Sequence, residues 1–581
     1  MNRPNRVIAT AGHVDHGKSS LVLALTGTDP DRFEEEKRRG LTIDLGFAHV
    51  MLSSGAGVSF VDVPGHVRFL RNMLAGVGGV DACMFVVAAT EGWKPQSEEH
   101  LRILELVGVR HGVVALTKID LVDTEWRELA EMELVDHVAG TFLSGAPVVG
   151  VSSVTGAGLD ELRAALDDLV TSTPAAPDRG RPRLWIDRVF AARGSGTVVT
   201  GTLTGGAITA GDQLGVLTAS GMQAGRVRGI QTLGRAVESI GPGNRVALNL
   251  AGVEHGQLQR GDPVVDAVRW RPTVCVDASL TVLDSLDHDV SRRGAYVAYI
   301  GSGEYPVRLR VLGPESIVPG AAGLVRLHLH RALPLLPGDR YILRESGRNE
   351  TVGGGEVLDV APVRPASKAA PSRSIDGFVA ERRWVDVEDL EAWTGERRAP
   401  TVGRWVTAPG ELEAVMERVR AEVFAAGPLG LDVATLDERA RAVLERAADL
   451  EVVTGRVRPA EVRDALAEHP FVAAHRLGAL APPAPDGVDR ATLRELVKRG
   501  LVVERDGIWF HRDAIDEAAA VAARLLAAQP EGFTVAEFRD ATGASRKFAL
   551  PLVNELDARG VTRRRGDLRI AGPRLPDQER P

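Results

Sequence analysis

Cysteine is scarce in this chain, because only Cys83 and Cys275 occur among its 581 residues. Two cysteines are too few for a framework of disulfides, and they form no CxxC pair that would indicate a zinc site. Long apolar runs are also missing, both at membrane-spanning length and as the core of an N-terminal secretion signal. We therefore expect a soluble protein in the reducing environment of the cytoplasm.

Positive charge is not in excess either, since 70 lysines and arginines face 78 aspartates and glutamates and give a formal net charge of −8. This balance does not indicate a nucleic-acid-binding surface over the whole molecule. The exception is the segment 539–574, where nine basic residues accompany four acidic ones. Such a local excess favours an anionic partner, and a solvated arginine-rich surface is the alternative.

The chain is long enough for roughly three to five domains. Short apolar runs first alternate with helical stretches, which is typical of a parallel sheet covered by helices. Glycine-punctuated strands follow and predict two small β-barrels, and the C-terminal part predicts helices with short β-ribbons, as in winged-helix domains. The predicted boundaries are 1–172 for the α/β domain, 183–267 and 271–360 for the barrels, and 375–575 for tandem winged helices, the last at about 530–575.

The octapeptide GHVDHGKS at residues 12–19 matches the pattern GxxxxGK[ST] of a phosphate-binding loop, with a β-type run before it and a helical run after it. Backbone N–H groups of such a loop surround phosphate oxygens at the start of a helix. We expect Lys18 to bind the β- and γ-phosphates and the Ser19 hydroxyl to bind Mg²⁺. The predicted nucleotide contacts in this loop are Gly12, His13, Val14, Asp15, His16, Gly17, Lys18, Ser19 and Ser20.

Four further motifs, in the order found in GTPases, favour GTP over ATP. Thr42 in RRGLTIDLGF can offer a second hydroxyl to Mg²⁺. The motif DVPGH supplies Asp62, which would bind Mg²⁺ through water, and Gly65, a backbone donor to the γ-phosphate. Asp120 in TKID can accept from the N1–H and N2–H₂ groups of guanine, a pair that adenine lacks. The fourth motif, SSVTG, supplies Ser152 and Ser153, the latter through its backbone N–H, and Thr117 and Lys118 of TKID are the remaining predicted nucleotide contacts.

The segments AGHVDHGKS, RRGLTIDLGF, VDVPGH and TKID resemble translational GTPases of the elongation factor Tu type, and GTVVTGTLTGG resembles their second-domain barrel. This resemblance implies a P-loop GTPase domain in which His66 is the catalytic residue that positions the attacking water when the ribosome acts on it. It also implies that Val14 and Leu41 form an apolar gate that holds His66 away beforehand, so that intrinsic hydrolysis is slow. Thr117 departs from the family, because the base-reading motif usually begins with asparagine.

A closer resemblance, to selenocysteine-specific elongation factors, covers nearly the whole chain. It is carried by RRGLTIDLGFA, by the segment from DVPGHVRFL to KPQSEEHL, and by the long C-terminal extension that elongation factor Tu lacks. It implies a monomeric protein that binds GTP or GDP with Mg²⁺ and delivers selenocysteinyl-tRNA to the ribosome at UGA codons, GTP hydrolysis triggering release of the tRNA. It further implies four winged-helix units, the last of which binds a selenocysteine insertion hairpin in the mRNA.

The same resemblance places a pocket for the selenocysteine side chain in the first barrel. A selenol is more acidic than a thiol, so a selenocysteinyl ester carries a negative charge at neutral pH that a seryl ester lacks. Asp187 and Arg188 in WIDRVF and Arg245 in GNRVALNLAG match positions of this pocket. The two arginines are expected to pair with the selenolate while Asp187 orients an arginine, and an ordinary salt bridge of the barrel is the alternative.

The basic segment near the C-terminus has the pattern of a winged helix. Thr534 and Gly543 predict the ends of one helix. Pro551 predicts that the next helix either starts near residue 549 or is kinked. The run GVTRRRGDLRIAG predicts a two-stranded wing with Gly566 at its turn. Arginine suits bidentate phosphate contact, and the predicted mRNA contacts are Arg546, Lys547, Arg563, Arg564 and Arg565.

Two other functions stay open at this point. A GTPase subunit that regulates a metabolic enzyme would share the first domains but would not bind tRNA. A regulator that joins a GTP sensor to winged helices would bind duplex DNA, the more common ligand of that fold. His328 and His330 alternate along one predicted strand, and without a third ligand we expect a structural role for them.

Overall fold

The computed structural model describes residues 5–31, 42–66, 69–192, 196–460 and 466–576. Leu41, the second member of the predicted gate, lies outside these ranges. The chain forms two compact units, Met1–Ala399 and Pro400–Pro581. No helix within the described ranges is both long enough and apolar enough to cross a bilayer.

The first unit begins with a domain in which strands and helices alternate. Its strands are β1 (Asn5–Ala11), β2 (Gly46–Met51), β3 (Gly57–Asp62), β4 (Ala82–Ala88), β5 (Gly112–Thr117) and β6 (Val148–Gly150). Its helices are α1 (Lys18–Thr26), α2 (Leu70–Val77), α3 (Pro95–Leu106), α4 (Thr124–Val138) and α5 (Leu159–Ser172).

These strands form one sheet in the order β2-β3-β1-β4-β5-β6, in which β2 is antiparallel to β3 and the other pairs are parallel. Strands β3, β4 and β5 are buried along their whole length, as expected when helices cover both faces of a parallel sheet. The loops that follow β1, β3 and β5 therefore meet at the carboxyl edge of the sheet, where ligands bind in such folds.

The second domain is a β-barrel. Its strands are β7 (Arg183–Trp185), β8 (Arg188–Ala192), β9 (Gly196–Thr204), β10 (Ile208–Thr209), β11 (Gln213–Thr218), β12 (Gly221–Thr232), β13 (Arg235–Val237), β14 (Ser239–Ile240), β15 (Asn244–Ala251) and β16 (Pro263–Val265). The sheet closes because β11 pairs with both β16 and β12. Buried and partly exposed residues alternate along β9 and β15, so one face of each strand fills the barrel.

The third domain is a second closed barrel, in the strand order β17-β22-β20-β19-β23-β24. Its strands are β17 (Thr273–Val282), β18 (Val290–Ser291), β19 (Tyr296–Ile300), β20 (Gly303–Leu312), β21 (Ser316–Ile317), β22 (Ala322–Leu333), β23 (Arg340–Glu345) and β24 (Glu350–Asp359). The prediction of an α/β domain followed by two barrels is confirmed.

The first unit ends with α6 (Ile375–Arg382), β25 (Trp384–Asp386) and α7 (Val387–Thr394). Arg181, in the linker before the first barrel, is fully buried against this end of the unit. Its guanidinium donates to the carbonyl oxygens of Glu391 (2.5 Å) and Ala392 (3.0 Å) and lies 4.8 Å from the centre of the Trp270 ring. The segment that joins the α/β domain to the first barrel is therefore packed against its neighbours at Arg181.

The second unit consists of helices interspersed with small β-sheets of two or three strands. Its helices are α8 (Glu411–Ala425), α9 (Glu438–Leu444), α10 (Pro470–Leu477), α11 (Arg490–Lys498), α12 (Arg512–Ala528), α13 (Val535–Thr542) and α14 (Arg546–Ala558). Its strands are β26 (Trp405–Thr407), β27 (Leu431–Asp432), β28 (Leu450–Val453), β29 (Arg456–Pro459), β30 (Val502–Arg505), β31 (Ile508–His511), β32 (Phe533–Thr534), β33 (Thr562–Arg565) and β34 (Leu568–Ala571). The pattern is that of winged-helix domains, as predicted.

Local sequence signals fix the last winged helix. Thr534 caps α13 in a capping box with Glu537, and Gly543 ends that helix with φ +67°. Helix α14 begins at Arg546 and contains Pro551, so the late start near residue 549 is wrong. Pro551 is buried within α14, and the core residues of this helix are Ala549, Leu552, Val553 and Leu556.

Candidate functional site

The loop between β1 and α1 has the backbone of a phosphate cradle. Gly12 has φ +133°, and a Cβ there would lie 2.1 Å from the carbonyl oxygen of Val86. Gly17 has φ +85° and caps α1, and Asp15 also adopts a left-handed conformation with φ +63°. Side chains would prevent this close approach, so the two glycines allow the backbone N–H groups to surround an anion.

Lys18 lies at the centre of the cradle. Its Nζ donates to the carbonyl oxygens of Gly12 (3.0 Å) and His13 (2.7 Å), and the side chain is buried. Burial lowers the pKa of Lys18 to about 8. A Cβ on Gly65 would lie 2.4 Å from this Nζ and 2.7 Å from the backbone nitrogen of Val14. The backbone of Gly65 therefore lies directly against the loop, where phosphate oxygens would sit.

Hydroxyl and carboxylate oxygens gather beside the lysine. Ser19 Oγ is 2.8 Å from Thr42 Oγ1 and donates to Asp62 Oδ2 at 2.7 Å. The Thr10 hydroxyl donates to Asp62 Oδ1 at 2.6 Å, and the Thr42 hydroxyl donates to Asp31 at 2.9 Å. Hard oxygens in this arrangement suit Mg²⁺. The predicted residues Ser19, Thr42 and Asp62 are thus brought together, and Thr10 and Asp31 join them without having been predicted.

Thr117, at the end of β5, contacts the loop between β1 and α1. Its hydroxyl donates to the carbonyl oxygen of His16 at 2.6 Å and approaches that of Val87 at 3.3 Å. The next residue, Lys118, has φ +59° and pairs with Glu91 at 3.3 Å. Asp120 follows on an exposed 3₁₀ turn, where it is accessible to a base. The hydroxyl oxygen of Thr117 thus connects β5 to both the phosphate loop and β4.

The loop that follows β6 is held in shape by Ser152. Ser152 is buried, and its hydroxyl accepts the backbone N–H groups of Val154 (3.2 Å) and Thr155 (3.0 Å). Ser153 is half-buried at the start of this turn. Ser20, by contrast, has an exposed side chain on α1, so it could reach a nucleotide only through its backbone.

Two buried histidines, His16 and His100, make hydrogen bonds to the backbone at or beside the phosphate loop. The His16 ring is buried, with Nδ1 3.3 Å from the carbonyl oxygen of Val86, and burial lowers its pKa to about 4. His100 Nδ1 accepts the backbone N–H of Gly12 at 3.1 Å, and burial lowers the pKa of His100 to about 3. Both rings are therefore neutral at pH 7. His100 was not predicted, because no loop motif marks a residue 88 positions away.

His66, the predicted catalytic residue, follows Gly65 at the edge of the loop. It is half-buried, its ring lies 6.0 Å from that of Phe69, and its carbonyl oxygen accepts the Phe69 N–H at 2.8 Å. Val14 is half-buried in the same loop, and its backbone N–H donates to Gln96 at 3.4 Å.

The predicted cargo residues form a buried group in the first barrel. Arg245 makes a bidentate pair with Asp187 at 2.5 and 3.0 Å, and the Thr200 hydroxyl donates to the same carboxylate at 2.6 Å. The Asp187 and Arg245 side chains are only 8% and 12% exposed. Burial opposes ionisation of Asp187, yet Arg245 holds the pKa of this carboxyl below its ordinary value.

Phe47 completes this group from the neighbouring domain. The Arg245 guanidinium carbon lies 3.4 Å from the centre of the Phe47 ring, and that of Arg188 lies 4.2 Å away. Arg188 also donates to the carbonyl oxygen of Leu45. Phe47, Thr200 and Arg245 line a cavity of about 180 Å³. The pocket therefore lies where the first barrel meets β2.

Arg260 joins this pocket to the nucleotide side. Its guanidinium pairs with Asp44 at 2.7 Å and donates to Asn72 Oδ1 at 3.0 Å and to the carbonyl oxygen of Asp187 at 3.0 Å. Asn72 in turn donates to the carbonyl oxygen of Ile43 at 2.7 Å. One arginine thus links the segment after Thr42, helix α2 and the predicted cargo residue Asp187.

In the second unit, all five predicted mRNA contacts are exposed, either at the start of α14 or on β33. These residues are Arg546, Lys547, Arg563, Arg564 and Arg565. Other arginines nearby are paired internally, Arg569 with Asp557 (3.1 Å), Arg559 with Glu555 (2.8 Å) and Arg539 with Asp540 (2.6 Å). The acidic residues are thus largely neutralised, and the exposed cations stay available for an anion.

His328 and His330 lie two residues apart on β22 and are both exposed, so they share one face of the strand, and their structural role stays a prediction. Burial and nearby arginines lower the pKa of His328. Neither histidine belongs to a group of three metal-ligand side chains within the described ranges.

Family models match three parts of the chain. "Elongation factor Tu GTP binding domain" matches residues 3–172. "Selenocysteine-specific elongation factor, beta-barrel domain" matches residues 285–364, and "Elongation factor SelB, winged helix" matches residues 524–571.

Similar proteins and structures extend these matches. The selenocysteine-specific elongation factor of Escherichia coli K12 is 30% identical over 619 aligned residues, which cover 97% of this chain and 98% of that protein. That of Desulfomicrobium baculatum is 42% identical over 355 residues, 61% of this chain and 55% of that protein. The crystal structure of bacterial selenocysteine-specific elongation factor EF-Sec covers 98% of this chain and 100% of its own, with TM-score 0.73 and 24% identity, and shows the fold. The apo structure of SelB from Methanococcus maripaludis covers 62% of this chain and 81% of its own, with TM-score 0.52 and 26% identity.

Proposed function

The chain belongs to the family of selenocysteine-specific elongation factors, and we propose that it delivers selenocysteinyl-tRNA to ribosomes at UGA codons while its last winged helix holds an mRNA hairpin. It is a translational GTPase, and its first domain binds GTP and GDP. Membership of this family favours this proposal over the two other functions that the sequence left open, a metabolic GTPase subunit and a GTP-sensing DNA regulator. The pair of arginines on the Phe47 ring supports the proposal that the cargo is selenocysteinyl-tRNA.

For hydrolysis, we assign the oxygens of Ser19 and Thr42 to direct Mg²⁺ contact and Asp62 to contact through water. Their separations of 2.7 and 2.8 Å support this set. Bound Mg²⁺ would neutralise charge on the phosphates. Lys18 and the backbone of Gly65 bind the phosphate oxygens, which the tight contact between them supports.

In this assignment the ribosome moves the His66 side chain towards the γ-phosphate, and His66 then orients the attacking water. The water forms a bond to the γ-phosphorus, the bond to the bridging oxygen breaks, and GDP leaves with inorganic phosphate. Thr117 keeps the base-reading strand in register with the loop through its hydrogen bond to the His16 carbonyl oxygen. Release of γ-phosphate frees the segment around Thr42 and, through it, the tRNA.

Discrimination by charge is the direct test of the cargo pocket. In the GTP form, the protein should protect a selenocysteinyl-tRNA ester from hydrolysis far better than the matching seryl-tRNA ester. Arg245→Ala should reduce this preference by about 10–100-fold, because charge-assisted hydrogen bonds contribute about 1.5–3 kcal/mol. The rates of ester hydrolysis at matched protein concentrations measure the preference.

Arg235→Ala is the matched control, since Arg235 is exposed on β13 of the same barrel. It removes the same charge without touching the pocket and should leave the preference unchanged. Equal protection of both esters by the unaltered protein would remove the cargo proposal.

The exposed cations of the last winged helix should carry the affinity for the mRNA hairpin. Arg546→Ala combined with Arg565→Ala removes one cation from the start of α14 and one from the wing. We expect the dissociation constant to rise about tenfold for each lost phosphate contact, with a shallower salt dependence. Fluorescence anisotropy with a labelled selenocysteine insertion hairpin at several salt concentrations measures both quantities.

Arg539→Ala combined with Arg559→Ala is the control, because both arginines are already paired with acidic neighbours. This variant removes the same charge and should bind the hairpin almost normally. If the two double variants weaken binding equally, the effect is one of overall charge and the assignment of these contacts is wrong.

A further inference from the structure

The hairpin formed by β23 and β24 places two glutamates face to face. Glu345 and Glu350 are direct partners in the register of the two strands, at the end next to the turn. Like charges in directly opposite positions destabilise a sheet. A cation between the two carboxylates would therefore remove their mutual repulsion.

His288 stands where that cation would be held. Its Nε2 is 3.1 Å from Glu345 Oε2 and 3.5 Å from Glu350 Oε1, and its side chain is 17% exposed. Glu350 Oε1 is out of contact with solvent and has no hydrogen-bond partner among the described residues. The ring offers at most one N–H at Nε2, which cannot satisfy both oxygens, so the arrangement is incomplete as it stands.

Asp287 holds the other side of the ring. Its Oδ1 is 3.0 Å from His288 Nδ1. A hydrogen bond from Nδ1–H to a carboxylate is typical of metal-binding histidines, because it fixes the tautomer and leaves the Nε2 lone pair free for the ion. Arg348 lies 3.3 Å from Asp287 and 4.0 Å from Glu345, so its positive charge is shared between two of the three carboxylates.

We propose that His288, Glu345 and Glu350 bind a divalent cation of the zinc class, with Asp287 as the orienting partner of the histidine. One nitrogen and two carboxylate oxygens are ligands that zinc accepts at about 2.0–2.2 Å. The three ligand atoms lie within 4.8 Å of one another, and both nitrogen–oxygen separations are close to the distance between neighbouring ligands of a zinc ion. The ion would tie the loop before β18 to the hairpin and remove the repulsion between the glutamates.

Zinc titration of the full-length protein tests this site. The protein is treated with a chelator, freed of it, and saturated with GDP and excess Mg²⁺ so that the nucleotide site does not take up zinc. Calorimetry should then show one zinc equivalent in the unaltered protein. His288→Asn and Glu350→Gln should each weaken this binding at least about 100-fold, and Asp287→Asn about 10–100-fold.

His330→Asn is the matched control, because His330 is exposed on the same barrel and outside the group. It should keep the zinc equivalent. Zinc should also raise the melting temperature of the unaltered protein and of this control, but not of Glu350→Gln. GDP affinity confirms that each variant is folded. If the unaltered protein takes up no zinc under these conditions, or if His288→Asn and Glu350→Gln take up as much as it does, the proposal is overturned and the group is an ion-paired histidine only.

Discussion

Replacement of His66 by alanine should lower ribosome-stimulated GTP hydrolysis by about 10²–10⁴-fold, the range expected when a group that positions or activates the reacting water is lost. Affinity for GTP should stay nearly unchanged, because the phosphate cradle is built from Lys18, Gly65 and the loop backbone. Single-turnover hydrolysis with programmed ribosomes and equilibrium binding of a labelled GTP analogue measure the two effects separately.

His330→Ala is the control for this experiment, since it removes an exposed histidine from the third domain. It should hydrolyse GTP at the normal rate. A His66→Ala protein that hydrolyses GTP as fast as the control would show that another group orients the water.

The second large effect concerns the buried pair in the first barrel. Asp187→Ala leaves the Arg245 guanidinium, which is 12% exposed, without its carboxylate. Removal of one member of such a pair costs about 3–5 kcal/mol, because an uncompensated charge stays in the interior. The urea midpoint of the transition that includes this barrel should therefore fall strongly.

A double replacement separates the charge effect from packing. Asp187→Leu with Arg245→Leu removes both charges and should recover most of the lost stability. Asp266→Ala breaks a far more exposed pair, with Arg269, and should shift the midpoint little. If Asp187→Ala and Asp266→Ala have the same midpoint, the buried pair does not stabilise the barrel.

The same pair sets a dependence on pH. The pKa of Asp187 in the folded protein lies below its ordinary value of 3.8. Its contribution to stability is therefore complete at neutral pH and is lost only as the pH falls through the folded pKa. The difference in stability between the unaltered protein and Asp187→Ala should shrink only in that acidic range.

Much of the nucleotide site could be predicted because its residues lie in short, ordered motifs. The glycines at 12 and 17 were expected from the loop pattern, and their positive φ angles follow from it. The exposed arginines of the wing were predicted in the same way, since turn and capping residues such as Thr534 and Gly566 define the ends of local elements. At these places the local sequence was sufficient to predict the backbone conformation and the ends of the elements.

The residues that were missed act across long separations in the chain. Phe47 lies beneath arginines from another domain, and Arg260 contacts Asp44, 216 positions earlier. His100 supports Gly12 from a helix that carries no loop motif. The packing of the first barrel against the α/β domain brings the first two groups together, and the fold of the α/β domain itself brings His100 to Gly12. Pro551 shows the opposite case, in which a residue that locally disfavours a helix lies inside α14.

Arg260 connects the pocket in the first barrel to the segment that follows Thr42. The arginine reaches the Asp187 backbone with one edge and Asp44 with another, and Asp44 lies two residues beyond Thr42. Any preference of the pocket for an occupant in one nucleotide state must then be matched by an equal preference of the nucleotide for the occupied pocket. A correctly charged tRNA should therefore slow the escape of GTP, and an empty or wrongly loaded protein should give it up sooner.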